Sequence, residues 1–232
     1  VNMLNTKLNT ILNDLLRKRV RPTGITYRVY LLDDTATINA YTVGGKIFVT
    51  KAIINKCKND DQLYAVIGHE MSHGFDDQGS GFDGDGVMRN WWTEKDKAEF
   101  KKRTGALVTQ YNQFKVFQDL KVNGVFTLGE NIGDLGGLSI ALKAYKTSLA
   151  GKPAPVMDGF TGDQRVFIGW AQGWLDKARE QALRSQVATD PHSPSKFRVN
   201  GVVRNIPEFY AAFNVKPGDS LYLAPDKRVR IW

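Results

Sequence analysis

The chain has 232 residues, of which 42% are hydrophobic and 24% charged, enough apolar mass for one domain or two closely packed subdomains. Its single cysteine, Cys57, excludes an intramolecular disulfide, and no stretch reaches the roughly 18 consecutive apolar residues of a membrane-spanning helix. The net charge of +8 is spread over scattered clusters (Arg17-Lys18-Arg19, Lys101-Lys102-Arg103, Lys227-Arg228) without interleaved aromatics, so no nucleic-acid groove is expected.

Leu4, Leu8, Ile11, Leu12, Leu15 and Leu16 recur at three- and four-residue spacing and predict an amphipathic helix over residues 3–16. Arg21-Pro22-Thr23-Gly24 predicts the turn that ends it. Residues 25–32, 35–43 and 46–50 read as strands, the last two joined by a hairpin at Gly44-Gly45. A helical pattern resumes at Lys51 and, past Asn59-Asp60, runs from Asp61 through Gly74. Residues 75–90, rich in Gly and Asp, predict a loop. Thr93, followed by Asp96, caps a helix predicted to run to about Phe117. Further helices are predicted over 128–149 and 163–182, a Pro-bounded loop over 189–195, and a short helix over 208–213. Strands first and helices afterwards make an α+β fold. Its N-terminal subdomain, residues 1–75, would carry the sheet and the helix over 61–74, and a mainly helical C-terminal subdomain, residues 76–232, would face it across a cleft. No basic and then apolar stretch opens these residues, so they predict no signal peptide.

His69-Glu70-Met71-Ser72-His73 carries the chemistry. Two histidines four apart on a helix share one face, so both imidazoles can reach a single ion, and the intervening glutamate can take a proton from a metal-activated water. A catalytic zinc site needs three protein ligands and an open position. The best source of the third is Gly129-Glu130-Asn131-Ile132-Gly133-Asp134, where Glu130 and Asp134 stand four apart. One of these carboxylates can bind the metal while the other accepts the free N–H of a ligating histidine. The third histidine, His192, lies in the Pro-bounded loop with Arg198 six residues on, and by itself reads as a surface residue.

These segments, with Phe75-Asp76-Asp77-Gln78-Gly79, Trp91-Trp92-Thr93, Asp190-Pro191-His192-Ser193-Pro194-Ser195-Lys196-Phe197-Arg198 and Val229-Arg230-Ile231-Trp232, resemble the neprilysin family of zinc endopeptidases from about residue 66 to 232. The resemblance implies a gluzincin-like domain holding one zinc ion on His69, His73 and Glu130, with Glu70 as general base. It implies that Asp134 orients His69, that Asp76 orients His73, and that His192 stabilises the oxyanion. Arg198 would bind a substrate carbonyl and help order Asp134, and Gly173 and Trp174 would line a specificity pocket. Two positions depart from the family: Val229 stands where it has a cysteine, and Gly173 is smaller than the expected aliphatic residue.

Residues 1 to about 70 instead resemble HtpX-like metallopeptidases, above all Ile38-Asn39-Ala40-Tyr41-Thr42-Val43 and Asp60-Asp61-Gln62-Leu63-Tyr64-Ala65-Val66. The whole therefore reads as a mosaic joined near the metal helix. In both families an Asn-Ala pair sits on the edge strand above the metal, which implies substrate binding by Asn39 and Ala40. The expected function is metallo-endopeptidase action on peptide or unfolded-protein substrates. With the first residues used up by a helix and three strands, the expected cleft is open. The resemblance implies a cell-envelope, periplasmic or secreted location. The alternative is a binding or structural protein that keeps the metal without turnover.

Overall fold

Leucine spacing in the first segment produces a helix, α1 (Asn2–Arg17), whose Leu8, Ile11 and Leu12 are buried. The computed structural model describes residues 2–17, 27–43, 45–57, 60–83 and 85–231. The expected turn at 21–24, Gly44 of the hairpin and Asn59 lie outside the described residues.

Three strands follow: β1 (Arg28–Leu32), β2 (Ala40–Val43) and β3 (Lys46–Thr50). The sheet order is β1-β3-β2, with β1 parallel and β2 antiparallel to the central β3. The expected strand over 35–43 is shortened. Asp34 Oδ1 accepts the backbone N–H groups of Ala36 (2.8 Å) and Thr37 (2.9 Å), a local turn that takes this segment out of extended pairing until Ala40. Val29, Ile47 and Val49 join Leu8, Ile11, Leu12, Leu63, Ile67 and Ala144 in one apolar cluster. The edge of β1 is met by Asn9 of α1: its amide Nδ2 donates to Val29 O (3.0 Å) and its Oδ1 accepts from Val29 N (3.1 Å). A side-chain amide thus occupies the place of a neighbouring strand.

Two helices follow the sheet, α2 (Lys51–Lys56), capped by the Thr50 side chain, and α3 (Asp60–Ser72). The α-helix ends one residue before the second histidine of the motif, and His73–Phe75 form a 3₁₀ turn. Thr93 caps α4 (Glu94–Tyr111) as expected, accepting from Asp96 N. That helix stops short of residue 117 because Asn112 leaves it to accept Gly124 N through its side chain (2.7 Å). Helix α5 spans Leu128–Ser148. The single helix expected over 163–182 is instead two, α6 (Gly162–Gly173) and α7 (Glu180–Thr189). Gly173 is a weak helix former, and Trp174 and Leu175 close the end of α6 with short-range bonds to Ala171 and Gln172 carbonyls. Two short helices complete the chain, α8 (Ser195–Val203), absent from the sequence expectation, and α9 (Pro207–Phe213).

The chain divides into two compact units. The first comprises residues 1–91 and 136–152, and the second 92–135 and 153–232, so α5 contributes to both. The second unit is built around aromatics: Phe114 stacks on Phe197 (4.8 Å between ring centres), Phe167 meets Phe209 edge-on (5.5 Å), and Tyr111 is fully buried. Among the described residues no helix is long and apolar enough to cross a membrane.

Candidate active site

In the first unit α3 is pressed closely onto the later part of α5. A Cβ on Gly137 would stand 2.7 Å from Ala65 O and 2.9 Å from His69 N, and one on Gly68 would stand 3.3 Å from Gly137 Cα. Backbone approach of this kind needs glycine, and it fixes where α3 places its side chains. His69 and His73 then bring their Nε2 atoms to 3.1 Å. Ligand atoms of His69, Glu70 and His73 all lie within 4.8 Å of one another.

The side chain of His73 is set by Asp76, whose Oδ2 lies 2.7 Å from His73 Nδ1. Asp76 itself is buried, and its Oδ1 accepts the backbone N–H groups of Gln78 (2.9 Å) and Gly79 (2.7 Å). Only glycine fits at residue 79, where a Cβ would fall 1.8 Å from His73 O. With its Nδ1 proton donated to Asp76, a neutral His73 presents an Nε2 lone pair. Two imidazole nitrogens bound tetrahedrally to one zinc at about 2.0–2.1 Å stand about 3.3 Å apart, close to the separation found here. The donor set therefore fits a zinc ion. Glu70 is 5% exposed, and its Oε2 accepts from Thr42 Oγ1 of β2 at 2.9 Å.

Asn39 precedes β2, an edge strand of the sheet. Its backbone is turned inward: Asn39 O accepts from Thr50 N (3.1 Å) and Asn39 N donates to Thr50 Oγ1 (3.2 Å). By the alternation of an antiparallel ladder, Ala40 and Thr42 direct their backbone groups to the outer edge.

In the second unit Glu130 and Asp134 lie one turn apart near the start of α5, as their spacing predicted. Arg198 of α8 grips Asp134 through two bonds, Nε to Oδ2 (2.7 Å) and Nη2 to Oδ1 (2.6 Å), and its Nη2 also reaches Glu130 Oε2 (3.4 Å). Asp134 is fully buried and Arg198 nearly so. The guanidinium lies 3.9 Å from the Trp174 ring centre, and Trp170 Nε1 donates to Arg198 O (3.2 Å). His192 is half-exposed. Its Nε2 lies 3.1 Å from Glu130 Oε2 and its Nδ1 2.6 Å from Asp190 Oδ1. The bond to Glu130 raises the His192 pKa, against burial, which lowers it. Gly173 closes α6, and a Cβ there would meet no neighbour within 4 Å.

Residues the sequence reading passed over complete both sets. Thr42 touches the Glu70 carboxylate. Buried Ser193 donates to Asn131 Oδ1 (2.8 Å), and Asn131 Nδ2 donates to Thr127 Oγ1 (2.9 Å), tying the His192 loop to the start of α5. Gly136-Gly137 had a readable signal, since paired glycines inside a long helix mark a close approach. Thr42 had none, because a threonine on a strand is ordinary.

The profile of peptidase family M13 matches residues 54–229, and that of peptidase family M48 matches residues 2–77. The chain is 41% identical over 183 residues to Neprilysin-1 of Caenorhabditis elegans, covering 76% of this chain and 24% of that protein. It is 40% identical over 168 residues to the neutral endopeptidase of Lactobacillus helveticus, covering 72% and 24% respectively. Among solved structures, the zinc metalloprotease ZMP1 of Mycobacterium tuberculosis, crystallised with an inhibitor, superposes with a TM-score of 0.80 at 50% identity. That match covers 84% of this chain and 32% of the mycobacterial chain. The chain thus spans about a quarter of the length of the curated relatives it matches.

Proposed function

Since the chain belongs to peptidase family M13, we propose that it carries the catalytic centre of a zinc-dependent endopeptidase of gluzincin type. The observation that carries the proposal is the convergence of His69 Nε2 and His73 Nε2 to 3.1 Å beside the buried Glu70 carboxylate. His69 and His73 would hold the ion together with Glu130 from α5. When bound, zinc supplies a Lewis acid that lowers the pKa of a water at its open position toward about 7 and polarises the scissile carbonyl.

The chain's own residues do the rest. Glu70 takes a proton from the attacking water on its carboxylate and passes it to the leaving amine nitrogen. His192 donates toward the carbonyl oxygen as that oxygen gains negative charge, an interaction stronger in the transition state than in the substrate. Asp76 keeps the His73 ring in place, and Asp134 does the same for His69 while Arg198 neutralises it. Arg198 also offers a donor to a substrate carbonyl. Asn39 and Ala40 hold an extended substrate along β2, Ala40 through outward backbone groups and Asn39 through its side chain, its backbone being engaged with Thr50. Trp174, with Gly173 beside it, lines a side-chain pocket.

Peptides and unfolded protein segments are the proposed substrates, and a cell-envelope or secreted setting belongs to the same proposal. The two family profiles overlap over residues 54–77, the stretch that includes α3. This supports a mosaic origin with the join in the metal helix. The test is zinc stoichiometry together with hydrolysis of a mixed peptide library by wild type and E70Q. One bound zinc, turnover by the wild type and at least a thousandfold loss in E70Q is the expected result, judged from the loss of a proton acceptor with shape kept. Zinc bound without wild-type turnover would identify a metal-holding binding protein instead.

A further inference from the structure

Thr42 stands inside β2, paired with Ile47 of β3, and its side chain points to the face of the sheet on which α3 packs. Its Oγ1 is 2.9 Å from Glu70 Oε2 and also 2.9 Å from Glu70 O. A hydroxyl carries one proton, so these two acceptors compete for it. The carboxylate wins on energy, because a hydrogen bond to an ionised acceptor is roughly twice as strong as one to a neutral carbonyl. It wins on need as well: a carboxylate as buried as Glu70 requires a donor. The donor is also rigid. Threonine is branched at Cβ and stiff at χ1, and its strand is pinned by Tyr41 stacking on Phe48 at 5.0 Å.

We propose that Thr42 is the positioning residue of the general base: its hydroxyl donates to Glu70 Oε2, fixing the carboxylate plane and leaving the other oxygen to accept the proton of the attacking water. The proposal rests on the peptidase reading above. It gives β2 two tasks. Ala40, two residues earlier, turns its backbone groups to the outer edge where a substrate would pair, while Thr42, whose backbone faces the same edge, turns its hydroxyl inward to the base. One short strand then sets the distance between substrate backbone and proton acceptor. Such an arrangement acts on the chemical step and leaves binding alone, since the hydroxyl faces Glu70 and away from the edge.

The experiment compares T42V, which keeps the shape and loses the hydroxyl, with T42S, which keeps the hydroxyl. In zinc-loaded protein T42V should lose about ten- to a hundredfold in kcat with KM within about twofold, the size of effect expected for a displaced catalytic group. Zinc stoichiometry should be unchanged, and T42S should recover kcat to within about threefold of wild type. A second readout needs neither zinc nor turnover. In zinc-free protein, T42V should lower the Tm more in the Glu70 background than in the E70Q background, because only the former loses a donor to a charge. Wild-type kcat in T42V, or an equal Tm loss in both backgrounds, overturns the proposal and assigns the hydroxyl to the Glu70 carbonyl. Should T42V fail to fold, T42A is the second hydroxyl-free variant. A zinc-loaded wild type without turnover sinks the peptidase reading alone, and the Tm cycle still decides whether Thr42 holds Glu70.

Discussion

In the first unit the carboxylate that steadies a histidine, Asp76, is itself held by two backbone N–H groups, and the Glu70 carboxylate by a hydroxyl. In the second unit two carboxylates, Glu130 and Asp134, share the guanidinium of Arg198, which lies over an indole ring, and Glu130 also meets His192. The first set is therefore positioned by where the backbone turns and how closely two helices approach, which is why glycines at 79, 136 and 137 matter there. The second set is positioned by charge in a buried place, where each ion is tolerable only while its partner is present. Geometry held by backbone should fail locally when disturbed; geometry held by paired buried charge should fail together.

The largest effect expected from this contrast is on R198A. Removing the guanidinium takes two charge-assisted bonds from the fully buried Asp134 and should cost about 3–5 kcal/mol of stability. Urea denaturation measures it, and a loss below about 1 kcal/mol would show that Asp134 does not depend on Arg198. Next comes G137A. Its methyl group would press on Ala65 O at 2.7 Å, forcing α3 and α5 apart at a cost of about 1–3 kcal/mol. Because His69 sits at the contact, zinc affinity should fall too, as a chelator titration would reveal; undiminished affinity would separate helix packing from metal geometry. The smallest is D76A. The half-exposed His73 can take a water in place of Asp76, so zinc affinity should drop only about tenfold, the low end for an outer hydrogen-bond partner. Stability should fall by about 1–3 kcal/mol for the lost bonds to Gln78 N and Gly79 N, less than in R198A, and a drop as large as that of R198A would erase the distinction between the two sets.

Much of this was legible in the residues. The leucine spacing of α1, the Thr93 cap of α4 and the placement of His69, Glu70 and Glu130 on helices all follow from short-range rules, because neighbours in sequence decide them. Short-range rules fail where distant residues decide. The run 163–182 keeps a helical pattern, yet Gly173 releases Trp174 to lie over Arg198. Residues 35–39 look extended, yet one side chain, Asp34, folds them into a turn. His73 falls on a 3₁₀ turn because Asp76, three residues on, draws its ring down. Thr42 and Ser193 are invisible for another reason: a hydroxyl gains its role only from what folding puts opposite it.

Asn9 has a consequence beyond the active site. A sheet exposed at both edges can be extended by a further molecule on each side, and such growth has no natural end. Here the middle of β1 is closed by a side-chain amide that uses both backbone groups of Val29, whereas β2 forms the outer edge on the other side. A sheet with one receptive edge can join another of its kind only edge to edge, as a symmetric pair that closes on itself. The one asparagine thus takes β1 out of edge pairing at Val29, so that any extension of the sheet on that side has to displace a side-chain amide first.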